Sequence, residues 1–228
     1  MITFSSKFLR MPYWTALLLL CAAKAHPAIL EGELKNQAGQ PVANAVIVAT
    51  PSQAKLANES DARSTVELDQ RNREFMPHVL AVRTGTEVKF PNHDQIRHHV
   101  YSFSTVKRFE IKLYKGTPPN PIRFDTAGIA VLGCNIHDWM IAYVYVTDTP
   151  YFTKTDGSGR WSLDVPADIY KIGIWHPHMD TGETLSSEPL TVTEHQTIRL
   201  DRILPLKKSF RTGKPPTSLL EEGYKGEP

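Results

Sequence analysis

The sequence predicts an all-β protein, and three observations support this prediction. The 228 residues contain 17 prolines and 13 glycines, which divide the chain into many short segments. The segments between these turn residues are rich in β-branched and aromatic side chains, which favour strands. No segment keeps a helical spacing of apolar residues for more than two turns.

The first strands are predicted within residues 26–51. Apolar residues alternate with polar ones at 29–34, a turn-forming stretch follows at 36–41, and an apolar run occupies 45–49. Residues 52–63 are polar and small, which is typical of a linker or a surface loop.

A second series of strands is predicted within residues 64–149, before a third series begins at residue 150. The apolar segments of the second series lie at 79–82, 88–90, 100–103, 129–132 and 141–146. In the third series, a turn at 155–160 precedes alternating segments at 161–166 and 170–175, and the last strands are expected within 190–200. Residues 204–228 are rich in Lys, Gly and Pro and are predicted to form a disordered tail.

Residues 1–25 have the pattern of a secretory signal. Lys7 and Arg10 precede an apolar stretch at 14–23, and Ala23-Lys24-Ala25 offers the small residues that a signal peptidase requires. The stretch is about half the ~20 residues that span a bilayer, although an uncleaved anchor stays an alternative. No other stretch is long and apolar enough, so we expect cleavage near Ala25 and a periplasmic protein without a membrane span.

Cleavage changes both the charge and the cysteine content. Loss of Lys7, Arg10 and Lys24 reduces the 26 basic residues to 23 against 24 acidic ones, a net charge of −1. A nucleic-acid partner is therefore not expected. Cys134 becomes the one remaining cysteine, and an unpaired cysteine in an oxidising compartment calls for burial, an intermolecular bridge or a metal.

A metal site is indicated by Cys134, His137 and Met140, which form a C-x-x-H-x-x-M pattern between two apolar strands. A thiolate, an imidazole and a thioether favour copper over calcium or magnesium. A blue-copper site also needs a second histidine, which the stretch 92–100 can supply from His93, His98 or His99.

The spacing Phe90-x-Asn92-x5-His98, together with the Cys134 loop, resembles the cupredoxins of the amicyanin and plastocyanin type. The resemblance covers about residues 66–149 and implies a Greek-key β-sandwich with one type 1 copper. It makes His98, Cys134 and His137 the equatorial ligands and Met140 the long axial one. His99 departs from the family, which usually has asparagine there, so His99 is a competing ligand or alters the rigidity around the site.

The flanking segments resemble a carboxypeptidase regulatory-like, or transthyretin-like, β-sandwich. The matching residues are Gly32, Gly39, Gln40, Pro41, Val42, Thr155, Asp156, Gly159, Trp161, Leu163, Val165, Pro166 and Tyr170. We therefore expect a split sandwich of residues 26–51 plus 150–203, into which the cupredoxin domain 64–149 is inserted. Separate modules in a row are the alternative. The full chain is similar to exported proteins labelled methylamine-utilisation proteins.

The function predicted from this pattern is one-electron transfer between redox proteins, such as a cytochrome or a dehydrogenase met in transient contacts. No enzyme activity is expected. Copper delivery, storage or sensing is the alternative, and a structural or adhesion module with a degenerate site is a third hypothesis. His176 and His178 fit either a second metal or a turn. His26 would begin the mature chain, where its amine and imidazole can chelate copper, but the sequence assigns it no second histidine.

Overall fold

The computed structural model describes residues 26–52, 64–179, 184–207 and 213–216. Every helix or strand assigned within these ranges is a β-strand, so the all-β prediction is confirmed. The same ranges contain no helix that could span a membrane. The predicted signal at 1–25 lies outside the described residues.

The strands follow one another along the chain with short connections. Their bounds are β1 Ala28–Asn36, β2 Val46–Pro51, β3 Thr65–Glu67, β4 Asp69–Arg71, β5 Glu74–Met76, β6 Val79–Arg83, β7 Thr86–Lys89, β8 His98–Ser102, β9 Phe109–Tyr114, β10 Ile122–Phe124, β11 Gly128–Cys134, β12 Ile141–Thr147, β13 Phe152–Lys154, β14 Arg160–Val165, β15 Asp168–Trp175, β16 Leu185–Ser186, β17 Leu190–Val192, β18 Thr197–Arg199 and β19 Arg202–Leu204.

The strands before and after the middle segment pair with each other. β1 is antiparallel to β14 and parallel to β18 and β19, while β2 lies between β13 and β15. β1 has the alternating burial of a strand with one face in a core, because Ala28, Leu30 and Leu34 are fully buried. The core between these sheets contains Leu30, Leu34, Ala45, Ile47, Trp161, Tyr170, Ile172 and Leu204.

The middle segment builds its own sheets. Five strands follow the order β6-β12-β11-β8-β9, three follow the order β10-β7-β3, and β4 pairs with β5. Their shared core contains Phe75, Phe90, Val100, Phe124, Leu132, Cys134, Met140 and Val144. Within the described ranges, no strand of this segment pairs with a flanking strand. The division into an inserted and a split domain stays a prediction.

Side chains join the two parts of the molecule. β12 is buried on both faces because Ala142 and Val144 face the middle core, whereas Tyr143 and Tyr145 face the flanking sheet. On that second face, Tyr145 packs against Trp175, with ring centroids 5.5 Å apart. The continuous apolar run that predicted this strand therefore reflects two separate cores.

The predicted start of the disordered tail is wrong for the residues that the structure describes there. Leu204 ends β19 and is fully buried in the flanking core, and Leu206 forms a β-bridge with Met179. Further on, Gly213 lies against His78. The polar composition of this stretch predicted that the entropy cost of ordering would keep it disordered. Burial of apolar side chains such as Leu204 offsets that cost. Residues 208–212 and 217–228 of the predicted tail lie outside the described residues.

Candidate metal centre

Two paired strands position the candidate ligands. β8 begins at His98 and β11 ends at Cys134, and the antiparallel register places Cys134 opposite Val100. The side chains of His98 and Cys134 therefore lie at the same end of the five-stranded sheet. The Tyr101 ring packs over Gly133, so that a Cβ there would lie 2.7 Å from the tyrosine hydroxyl oxygen.

The loop before His98 is organised by Asn92. Its side-chain amide donates to the carbonyls of Ile96 at 3.0 Å and Tyr114 at 2.9 Å, and its side-chain oxygen accepts from the Asp94 amide at 3.0 Å. Asn92 is buried, so these bonds are shielded from water. The asparagine of the sequence motif therefore fixes the path of the chain into His98.

The loop from Cys134 to Met140 is closed by backbone hydrogen bonds. The Cys134 amide donates to the Met140 carbonyl at 3.2 Å, and the Met140 amide donates to the His137 carbonyl at 3.0 Å. The Asn135 amide donates to the His99 carbonyl at 3.0 Å, which ties this loop to the strand that carries His98. The two ligand-bearing segments are thus joined through the backbone.

The donor atoms converge in a buried position. The Cys134 sulfur lies 3.7 Å from His98 Nδ1 and 3.9 Å from His137 Nδ1, and one donor atom from each residue lies within 4.8 Å of the others. Typical distances of ~2.3 Å to sulfur and ~2.0 Å to nitrogen, in a trigonal arrangement, separate the two donors by ~3.7 Å. The three residues therefore fit a first-row metal ion. Met140 is buried in the same core as Cys134.

Neighbouring hydrogen-bond donors lower the pKa of the Cys134 thiol. Burial raises the pKa of Cys134, but hydrogen bonds from His137, His98 and the amides of His99 and Ile136 lower it more, to about 5. Burial lowers the pKa of His98, but its bonds to Cys134 and Asp94 raise it on balance. A thiolate, which is the form that binds metals, is therefore favoured at neutral pH.

Asp94 fixes the orientation of His98. The Nε2–H of His98 donates to Asp94 Oδ2 at 2.7 Å, which leaves Nδ1 facing the sulfur. The same carboxylate accepts from the amides of Asn72 at 2.6 Å and Arg73 at 2.9 Å. Carboxylates that hold a ligand histidine in this way set its tautomer and raise its basicity.

The turn between β4 and β5 also supports His137. Trp139 packs beside His137, with ring centroids 4.9 Å apart, and its Nε1–H donates to the Arg73 carbonyl at 3.0 Å. Asn72 and Arg73 both have positive φ angles, of 54° and 60°, so the turn presents two amides to Asp94. The sequence interpretation of the site did not include Asp94 or this turn.

The other candidate histidines have different partners. His93 is bonded to Asp69 at 2.7 Å, and His99 to Glu110 at 2.8 Å. His176 accepts from the His178 amide at 3.1 Å through Nδ1. Within the described ranges, the one group of three or more possible ligands that converge is His98, Cys134 and His137.

His137 is only 5% exposed. Ile136 beside it is 49% exposed, so the loop itself reaches the surface while the imidazole is covered. A groove of about 410 Å³ leads along Tyr101, Phe103 and Val131 towards Cys134.

Comparisons with known proteins found partial likenesses among solved structures. A purple cupredoxin from Nitrosopumilus maritimus is 19% identical over 37% of this chain and 99% of its own, with a TM-score of 0.33. A reduced amicyanin variant is 21% identical over 43% of this chain and 97% of its own, with a TM-score of 0.33. A copper-containing nitrite reductase from Thermus scotoductus is 24% identical over 38% of this chain and 23% of its own, with a TM-score of 0.32.

No family model matches the chain, and no curated protein matches it. Each of these three likenesses covers less than half of this chain.

Proposed function

We propose that the protein is an exported type 1 copper protein that passes single electrons between redox proteins. The observation that supports this most strongly is the convergence of His98, Cys134 and His137 within 4.8 Å in a buried site. One thiolate and two imidazoles with a weak methionine ligand are the donors of blue-copper centres. Met140, which is buried in the same core as Cys134, would be the weak methionine ligand, and a bound copper would supply a reversible one-electron change.

The chain itself contributes rigid and dry surroundings. Backbone bonds close the Cys134 loop, Asp94 holds His98, and Trp139 packs against His137. Donors held in this way change position little between oxidation states, which keeps the barrier to electron transfer low. Burial of Met140 and Cys134 excludes water and tunes the potential.

The proposed partner is a redox protein, a cytochrome or a dehydrogenase, met in the periplasm. Such encounters use small interfaces and are short-lived. The exposed Ile136 lies next to His137 and offers a contact near the site.

The visible spectrum of the mature protein after addition of Cu(II) tests the proposal. We expect a strong thiolate-to-copper band that is lost in Cys134→Ser and retained in His93→Ala, since His93 is bonded to Asp69 outside the cluster. A colourless protein without bound copper would refute the proposal. Tight Cu(I) binding without a blue oxidised form would refute it in favour of copper handling.

A further inference from the structure

A pair of histidines lies far along the chain from the candidate ligands already described. The rings of His26 and His195 stack with their centroids 4.4 Å apart and their planes tilted by 31°. Both residues are exposed, so an ion from solvent can reach them. Two imidazole nitrogens that bind opposite sides of one ion lie about 4 Å apart, which is close to the separation of these two rings.

Strand pairing explains why the two histidines meet. β1 and β18 are parallel, with Ile29 opposite Thr197, and the Ile29 amide donates to the Gln196 carbonyl at 2.8 Å. His26 and His195 each stand two residues before their strand, at the same end of the pair. The register of the sheet therefore holds the two residues side by side.

The backbone at His195 has an uncommon conformation. Its φ angle is 60°, in the left-handed region that residues other than glycine seldom adopt. The turn is held by Gln196, whose side-chain oxygen accepts from both the amide and the hydroxyl of Thr193 at 3.1 Å.

The predicted signal cleavage would add a third donor at this place. Water would hydrolyse the peptide bond between Ala25 and His26, leaving a carboxylate on Ala25 and a free amine on His26. The amine and the imidazole of one histidine can bind the same ion as a chelate. Pro27 has no backbone N–H that could become a competing amide ligand.

We propose that the mature protein has a second metal site, in which the amine and imidazole of His26 and the imidazole of His195 bind Cu(II). A set of nitrogen donors without sulfur suits Cu(II) among the divalent ions, because affinity rises to its maximum at copper along the first row. The site is distinct from the Cys134 centre, whose thiolate suits both oxidation states. The proposal depends on the signal cleavage and not on the electron-transfer function.

The test compares four proteins that share the Cys134 centre. They are the mature protein exported with its own signal, the variant His26→Ser, the variant His195→Asn, and the control Glu194→Gln. His26→Ser keeps the N-terminal amine and removes the imidazole that chelates with it. Asparagine tolerates a positive φ but lacks the imidazole, and Glu194 is an exposed neighbour in the same turn. Cu(II) binding is followed by calorimetry and electron paramagnetic resonance, and mass spectrometry identifies the N-terminal residue.

We expect the mature protein and the Glu194→Gln control to bind a second Cu(II) with an axial, nitrogen-coupled resonance signal. His26→Ser and His195→Asn should each weaken this second binding by more than about 100-fold, beyond the 10–100-fold that an outer-shell change costs. A mature chain that begins elsewhere than His26, a stoichiometry of one, or unchanged affinity in either variant would overturn the proposal.

Discussion

The carboxylate behind His98 should lower the reduction potential of the bound copper, and its removal tests this. Asp94 Oδ2 lies 2.7 Å from His98 Nε2, and its side chain is only 13% exposed. The negative charge favours Cu(II) over Cu(I) because the oxidised ion carries one more positive charge. Asp94→Asn keeps the shape of the side chain and removes the charge, so we expect the potential to rise.

The size of the rise follows from the distance. The 2.7 Å hydrogen bond, the width of the imidazole ring and a metal–nitrogen distance of ~2.0 Å place the carboxylate about 6–7 Å from the metal. One unit charge at that distance, with an effective dielectric constant of about 20, contributes roughly 2.5 kcal/mol. Since 1.4 kcal/mol corresponds to ~59 mV for one electron, the shift should be on the order of 100 mV upward.

Voltammetry of the copper-loaded protein measures this shift, and Glu110→Gln is the matched control. Glu110 makes the same kind of bond to His99, but it is 50% exposed and His99 is not one of the converging donors. Its removal should therefore move the potential much less. A fall in potential, or equal shifts in the two variants, would refute the reasoning.

Three further predictions concern the thiol, an acid-sensitive histidine and the contact between the two parts of the molecule. In the metal-free protein the ultraviolet thiolate absorbance of Cys134 should titrate with a midpoint near pH 5, and His137→Ala should raise the midpoint because one stabilising hydrogen bond is lost. Burial first, and then the neighbouring His178, lower the pKa of His176 from 6.5 to about 4, so its contribution to stability is complete above pH 6.5 and is lost as the pH falls to 4. Denaturant unfolding should show a loss of up to about 3 kcal/mol across that interval, and the loss should be smaller in His176→Gln. Trp175→Ala should lower the free energy of unfolding by about 3–5 kcal/mol, because this buried ring fills the contact with Tyr143 and Tyr145, and an unchanged urea midpoint would contradict that assignment.

The convergence of Cys134 and His137 could be predicted from sequence because the two residues share one loop between two apolar strands. His98 was assigned by the resemblance to the cupredoxins, and it begins β8, the strand that pairs with β11. A loop this short restricts the directions of its side chains, so the spacing of Cys134 and His137 in the sequence predicts much of their relative geometry. The ligand roles themselves, and the role of Met140, stay predictions until a metal is bound.

Some features were missed although the sequence carries their pattern, and others depend on long-range pairing or on unusual backbone angles. β9 was not predicted, although Phe109, Ile111 and Leu113 alternate with Glu110 and Lys112 as in a strand. β10 is only three residues long. The contact of His26 with His195 arises from a parallel pairing of strands more than 150 residues apart, which no local pattern encodes.

The turn at Asn72 and Arg73 is the element on which both candidate ligand histidines, His98 and His137, depend. Its two amides hold the carboxylate that orients His98, and its Arg73 carbonyl accepts the indole N–H of the tryptophan packed beside His137. Both residues have positive φ angles, so the geometry requires a backbone that most side chains avoid. A backbone conformation with a free-energy cost persists when neighbouring groups fix it. Here those groups are Asp94 and Trp139, which also contact the candidate ligands His98 and His137. The same hydrogen bonds that keep the turn in place therefore keep the two imidazoles aimed at Cys134.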